Sequence, residues 1–215
     1  MANVLHLDES LNAPTMAAES TSIPGWRREL PVLTGQTVTL RGLREADAPA
    51  LLSLLEADEV RRFVSAAPAS VGEFRSFIAW TRRQQEAGTC TSFAVTRNGS
   101  DAAVGLIQVR DLGFGFHAAE WGFAIAADLW GTGVFHEAAQ LAIQFVFQTL
   151  NAHRLEARAL ARNGRGIAAL RKLGAVEEGV LRQSFRLADG YADQVLCSIL
   201  RDDWFAQRHV ARRAA

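Results

Sequence analysis

One segment of this 215-residue chain limits its fold more than any other: residues 120–138, EWGFAIAADLWGTGVFHEA. A strand-like run over 121–127 leads through Asp128, Leu129 and Trp130 to two glycines one residue apart, Gly131 and Gly133. An amphipathic helix begins directly after them. Glycine lets the backbone come close to a ligand, and the first turn of a helix leaves N–H groups unpaired at the positive end of its dipole. Strand, glycine loop and helix in this order predict a site for a pyrophosphate-bearing ligand.

The rest of the chain surrounds that segment with short alternating elements. A strand is expected at 37–41, a helix at 46–56, and a second helix after the capping-box pattern Ser70-Val71-Gly72-Glu73. Strands follow at 91–96, 103–111 and 120–127, with Asn98-Gly99 as a hairpin turn. The glycine-loop helix is expected to run to about residue 150. A strand at 154–161 and a helix at 164–173, closed by Gly174, come next. Strands at 176–187 and 191–200 are joined at Asp189-Gly190. This mixture predicts an α+β domain around one mostly antiparallel sheet, with a parallel pair where a helix crosses over.

Residues 1–34 read as an N-terminal arm or linker, because 12–24 are rich in Ala, Ser, Thr and Pro without period; Leu5, Leu7 and Trp26 are its docking points. The domain is expected over 35–207, with 208–215 as a C-terminal tail.

Composition narrows the class. Lys plus Arg and Asp plus Glu both number 23, so the formal net charge is zero, which argues against a nucleic-acid partner. Lys172 is the only lysine, and arginine carries nearly all positive charge. Two cysteines, Cys90 and Cys197, make neither a disulfide framework nor a metal spacing. No apolar run approaches a membrane span of roughly 18–20 residues, and the N-terminus lacks a secretory pattern. A cytoplasmic protein without a membrane partner is expected, as a monomer or homodimer.

Several ligands could occupy a glycine loop. A dinucleotide fingerprint needs Gly or Ala where His136 stands, and starts directly off the strand. A P-loop needs a Lys-Ser/Thr pair after the glycines. His136-Glu137 suggests zinc, but the second His expected four residues on is Gln140. No metal is expected.

Several stretches, in order, carry a resemblance: residues 38–47, Glu120-Trp121-Gly122-Phe123, Trp130-Gly131-Thr132-Gly133, residues 153–157, Asn163, residues 172–175 and residues 178–182, with 190–193 and Asp203-Trp204 after them. Over about residues 35–204 the chain resembles the GNAT superfamily of N-acetyltransferases, and within it the ribosomal-protein alanine acetyltransferase (RimJ/RimL-like) branch. The resemblance implies a GNAT-like sheet flanked by helices, whose splayed parallel strand pair binds acetyl-CoA as co-substrate. It implies an acetyl transfer to a primary amine, on a protein N-terminus or a small molecule, by direct attack in a ternary complex. The alternatives are a non-catalytic acyl-CoA-binding or regulatory domain, a transferase using another acyl-CoA such as succinyl-CoA, and a nucleotide-dependent oxidoreductase.

Residue by residue, the resemblance assigns the pyrophosphate to Trp130, Gly131, Thr132, Gly133, Val134, Phe135 and His136, and the pantetheine arm to Ala124, Ile125 and Ala126. Trp130 stands where Gln or Arg is usual, and Phe135 where Gly or Ala is usual. Asn163 would contact the cofactor arm, cap a helix, or both. Glu120 is the candidate general base, or else a structural carboxylate paired with arginine. Leu170 occupies the cofactor-side position where many relatives have a Tyr general acid, and Tyr191 lies outside that motif. Ser184 and His136 are the candidate substitutes for that acid. Trp80, Phe63, Phe114, Phe116 and His117 are candidates for the acceptor pocket.

Overall fold

The computed structural model describes residues 25–208 in full and the backbone of 209–213, residues 65, 66, 114, 188 and 189 excepted. Leu5, Leu7, the 12–24 stretch, Phe114 and Asp189 therefore lie outside the described residues. The elements run α1 (Gly25–Arg28), β1 (Leu33–Thr34), β2 (Val38–Gly42), α2 (Ala48–Glu56), α3 (Asp58–Arg61), α4 (Val71–Ala87), β3 (Cys90–Arg97), β4 (Ala103–Asp111) and β5 (Ala118–Ile125). Then come α5 (Val134–Gln148), β6 (Arg154–Leu160), α6 (Gly164–Lys172), β7 (Val176–Leu187), β8 (Gly190–Leu200) and α7 (Arg201–Arg213).

The strands form one eight-stranded sheet in the order β1-β2-β3-β4-β5-β6-β8-β7. Every neighbouring pair is antiparallel except β5 with β6, which α5 joins by a crossover. The α+β architecture expected from the sequence is the observed one.

Both faces of the sheet are covered, so its central strands are apolar in both directions. Phe93, Val95, Ile107, Val109, Trp121 and Phe123 face a core closed by α1, α5, α6 and α7. Ala94, Leu106 and Ala124 face a second core made with α2, α3 and α4. Alternation along each strand sends neighbouring side chains to opposite faces.

Local chemistry sets the helix ends. The Ser70 hydroxyl accepts a hydrogen bond from the Glu73 amide at 3.1 Å, and the Glu73 carboxylate accepts from the Ala69 amide, so α4 starts where the capping pattern predicts. The helix expected at 46–56 divides into a 3₁₀ turn, Glu45–Asp47, and α2, because Pro49 sits in the first turn of the latter. Trp26 is buried against Phe116, with the rings edge-to-face at 5.7 Å, so α1 packs on the sheet. Helix α7 continues past residue 207 to Arg213. No helix among the described residues is long and apolar enough to cross a membrane.

Candidate functional site

Strands β5 and β6 stay in register for three pairs only: Ala118 with Arg154, Ala119 with Leu155, and Glu120 with Glu156. Both continue beyond that point, to Ile125 and Leu160, without pairing to each other. The sheet therefore splits from Trp121 onward into a V whose mouth lies at the C-terminal ends of both strands.

Hydrogen-bonding direction alternates along a strand, and the Ala126 amide donates to the Val104 carbonyl on β4. Ala124 shares that direction. Ile125, and Phe123 two residues before it, turn their backbone groups toward the V. Of the three residues assigned to the pantetheine arm, Ile125 is the one with its N–H on that side.

The glycine loop closes the mouth. Gly131 and Gly133 have φ of 82° and 92°, a region that L side chains avoid, and a Cβ added at either would meet nothing within 4 Å. Their role is thus conformational, and the space in front of them is open. The first α5 hydrogen bond runs from the Glu137 amide to the Gly133 carbonyl, so Val134, Phe135 and His136 have no carbonyl one turn back to receive their N–H groups. Such a row of amides at a helix N-terminus suits an anion.

Trp130 and Phe135, the two departures from the superfamily pattern, border the cavity in front of the glycines, and each is anchored from behind. The Trp130 indole donates through Nε1 to the Ile125 carbonyl at 2.8 Å, tying the loop back to the end of β5, and the Arg165 guanidinium lies 4.7 Å above its ring. Phe135 is 3% exposed and packs on Phe123, with ring centroids 4.3 Å apart. His136 is exposed and in contact with Gln140. Neighbouring Glu137 belongs to a separate buckle, accepting from the Gln36 amide and from the Thr37 amide and hydroxyl. Burial alone would raise the pKa of Glu137, and these hydrogen bonds outweigh it and lower it.

Three cavities run side by side along the mouth. The first, about 580 Å³, is lined by Gly131, Gly133, His136, Arg165 and Lys172 among others. The second, about 170 Å³, contains Phe63, Trp130, Asn163 and Arg165. The third, about 530 Å³, shares Arg62 and Arg162 with the second and is bounded by α3 and β7. Asn163 is buried, and its Oδ1 accepts from the Gly166 amide at 3.0 Å, so it caps α6 while lining the middle cavity.

Glu120 sits at the apex of the V, in the last registered pair. Its side chain is 1% exposed; Oε2 accepts from Arg110 Nη2 at 2.7 Å, and Oε1 lies 3.6 Å from Arg158 Nε. Arg110 is its cross-strand partner on β4, and Arg158 lies on β6 two residues after Glu156. Neither arginine was singled out by the sequence, although hairpin register and strand alternation put both on the Glu120 face.

The remaining candidates are dispersed. Leu170 is fully buried in the core beneath α6. Trp80 is a core residue stacked on Phe77, and Phe116 is buried against Trp26. His117 is exposed and lies just before β5, at the closed end of the V; its carbonyl accepts from the His153 amide. Phe63 alone of the described acceptor-pocket candidates lines the mouth. Ser184 is exposed in a β7 bulge, with its hydroxyl bonded to the Leu181 carbonyl and Gln194, and Tyr191 is exposed at the start of β8.

Burial pushes the Cys90 thiol up to about 12 and the Cys197 thiol up to about 11. Neither would be a thiolate near neutral pH, so neither is fit to carry an acyl group. No group of three or more His, Cys, Asp or Glu among the described residues could hold a metal.

The family model of the acetyltransferase (GNAT) domain matches residues 37–176. An N-acetyltransferase named p20 from Bacillus licheniformis, itself uncharacterized, is 25% identical over 170 residues, which is 79% of this chain and 96% of the relative. The [ribosomal protein uS5]-alanine N-acetyltransferase of Escherichia coli K12 is 30% identical over 89 residues, 41% of this chain and 46% of that protein. Among solved structures, Mycobacterium smegmatis RimJ in complex with CoA-disulfide superposes with a TM-score of 0.69 at 23% identity, covering 77% of this chain and 83% of that one.

Proposed function

The chain belongs to the GNAT acetyltransferase family, and on that premise we propose that it moves an acetyl group from acetyl-CoA to a primary amine by direct attack in a ternary complex. The acceptor amine is on a protein N-terminus or a small molecule. The observation that carries this reading is the conjunction at one mouth of unpaired strand edges and open glycine amides. A thioester-bearing arm with a pyrophosphate at its far end fits both, as an added strand and as an anion.

In this reading, the amides of Gly131 and of Gly133 to His136 hold the pyrophosphate, with Arg165 and Lys172 lining the same cavity, whereas the Thr132 amide donates to the Leu129 carbonyl at 3.4 Å. The backbone of Phe123 and Ile125 aligns the arm, and Asn163 supports it from the other side. The bound thioester would supply an activated carbonyl and a thiolate leaving group; a thiol of pKa near ~8.5 leaves readily. Glu120 receives the proton that the amine nitrogen loses as the C–N bond forms and the C–S bond breaks, directly or through water. Leu170 has no proton to give, so the chain's main contribution is to position two reactants, which can supply much of the rate.

The same Leu170 favours a second reading, a non-catalytic acyl-CoA-binding domain. Calorimetric titration with acetyl-CoA, free CoA, succinyl-CoA and NADH, on wild type and Gly133→Glu, separates these. Micromolar acetyl-CoA binding abolished by Gly133→Glu, with turnover of at least one amine that Glu120→Gln suppresses, is the expected result. CoA binding without turnover of any amine selects the second reading. No CoA binding by the wild type overturns both.

A further inference from the structure

The cavity of about 530 Å³ at the far end of the mouth carries an excess of positive charge. Four guanidiniums line it, from Arg61 at the end of α3, Arg62 just after it, Arg162 at the β6–α6 junction and Arg186 on β7, against one carboxylate, Glu56. All four arginines are exposed, and none has an ion-pair partner among the described residues. Elsewhere three buried or half-buried arginines are matched by carboxylates: Arg41 with Asp47, Arg110 with Glu120, Arg154 with Glu156 and Glu178. In a chain of zero formal net charge, this is a local surplus of positive charge.

The surplus is not needed by the pyrophosphate. That end of the proposed cofactor has its own amides and its own cations, Arg165 and Lys172, in a different cavity, with the small middle cavity between the two. The arginines therefore face the second substrate. Guanidinium groups bind carboxylates and phosphates through paired, charge-assisted hydrogen bonds, and they repel an ammonium-rich ligand. The apolar floor beneath them, which includes the buried Phe185 and Leu55, weakens screening by water. Volume fits a metabolite-sized ligand, within the usual range for such pockets of roughly 300–1,000 Å³.

We infer that the acceptor is a small molecule carrying both the reactive primary amine and an anionic group, a carboxylate or a phosphate, which these arginines bind. The inference rests on the transferase reading above and names its substrate class.

The test begins with calorimetric titration of the full-length protein with acetyl-CoA. Thiol release is then measured with glutamate and O-phosphoserine, with their uncharged counterparts glutaminamide and serinamide, with spermidine, and with a neutral alanine-headed peptide. Arg61→Gln, Arg186→Gln and the double variant are run beside wild type. Expected is a kcat/KM for glutamate or phosphoserine at least about tenfold above the amides, spermidine and the peptide. Each substitution should raise the KM for the anionic acceptor about tenfold, the loss of one charge-assisted contact. The acetyl-CoA Kd should stay unchanged, which also shows that the variants fold. The better of glutamate and phosphoserine identifies carboxylate or phosphate as the anion. Preference for spermidine, the amides or the neutral peptide overturns the inference, as does a variant effect on the acetyl-CoA Kd with none on acceptor KM. Acetyl-CoA binding without turnover of any amine also overturns it. A wild type that binds no acetyl-CoA overturns the transferase reading itself, a different and separately visible failure.

Discussion

Glu120 and Arg110 are directly opposite each other across β4 and β5, and the carboxylate is almost wholly removed from water. Removing its guanidinium partner leaves a buried negative charge. Arg110→Met should therefore cost about 3 kcal/mol in urea unfolding, with Arg158 limiting the loss. The double variant Arg110→Met/Glu120→Gln should lose clearly less than the sum of the single effects. Catalysis separates the two roles of Glu120. As a base, its replacement by Gln should lower kcat at least ~100-fold, leave the acetyl-CoA KM alone and remove the acid limb of the pH–rate profile. A profile that keeps its shape while kcat falls modestly would assign Glu120 to structure. The glycine loop offers a second residue-scale contrast. Gly133→Ala meets open space but a left-handed backbone, so it should destabilise by about 1–2 kcal/mol. If acetyl-CoA affinity stays within a few-fold after Gly133→Ala yet vanishes after Gly133→Glu, the cradle binds through backbone; equal losses from both would show that loop shape alone was at stake.

At the scale of elements, the split between β5 and β6 depends on how β5 is held from its other side. Gly105 on β4 pairs with Ile125, and a Cβ there would press on the Ile125 side chain and lie 2.8 Å from the Ala124 carbonyl oxygen. A backbone oxygen inside a sheet cannot step aside. Gly105→Ala should cost about 1–3 kcal/mol and weaken acetyl-CoA binding by displacing the strand edge that lines the V; thermal melting and calorimetry read the two effects. Across the other half of the sheet, Arg154 on β6 reaches Glu178 on β7, and the Ser198 hydroxyl on the intervening β8 donates to the same carboxylate at 2.6 Å. The Arg154 guanidinium holds the Glu178 carboxyl down at about 2, below its unfolded value near ~4.3. A depressed folded value stabilises above the unfolded one, and that contribution is lost as pH falls toward 2. Glu178→Gln should flatten the acid limb of stability between about pH 4.3 and 2, and an unchanged limb would mean that the pair contributes nothing. Most of these elements were legible because strand alternation and helix caps are local signals, as at Ser70 and Asn163. The splay was legible only through the resemblance, because no residue of β5 or β6 announces where pairing stops. The direction of the Ile125 backbone and the inward turn of Phe135 needed the register with β4 and the packing on Phe123.

Taken whole, the molecule is two sheet segments, β1 to β5 and β6 with β8 and β7, joined by a seam of three registered pairs and by the helices packed across it. The arginine-lined cavity belongs to this scale. Its cations come from α3, the β6–α6 junction and β7, so nothing in any one stretch of sequence could mark them as neighbours. A ligand lying in the V would touch both segments and add strand-like bonds where the sheet lacks them. A ligand that binds the folded chain alone stabilises it, so on the proposed function acetyl-CoA at 100 times its Kd should contribute about 2.7 kcal/mol. For a chain of this size, that corresponds to a rise in Tm of roughly 5–10 °C. Its distribution is more telling than its size. Hydrogen exchange should slow most at the amides of Phe123 and Ile125 and in the first turn of α5, with little change along β2 and β3. Uniform slowing throughout would mean that the ligand acts only on global unfolding. Protection confined to α5 would mean that the pyrophosphate is held while the V stays empty. Joint protection of strand edge and helix turn is what a single ligand spanning both would produce, and it requires no assumption about the acceptor.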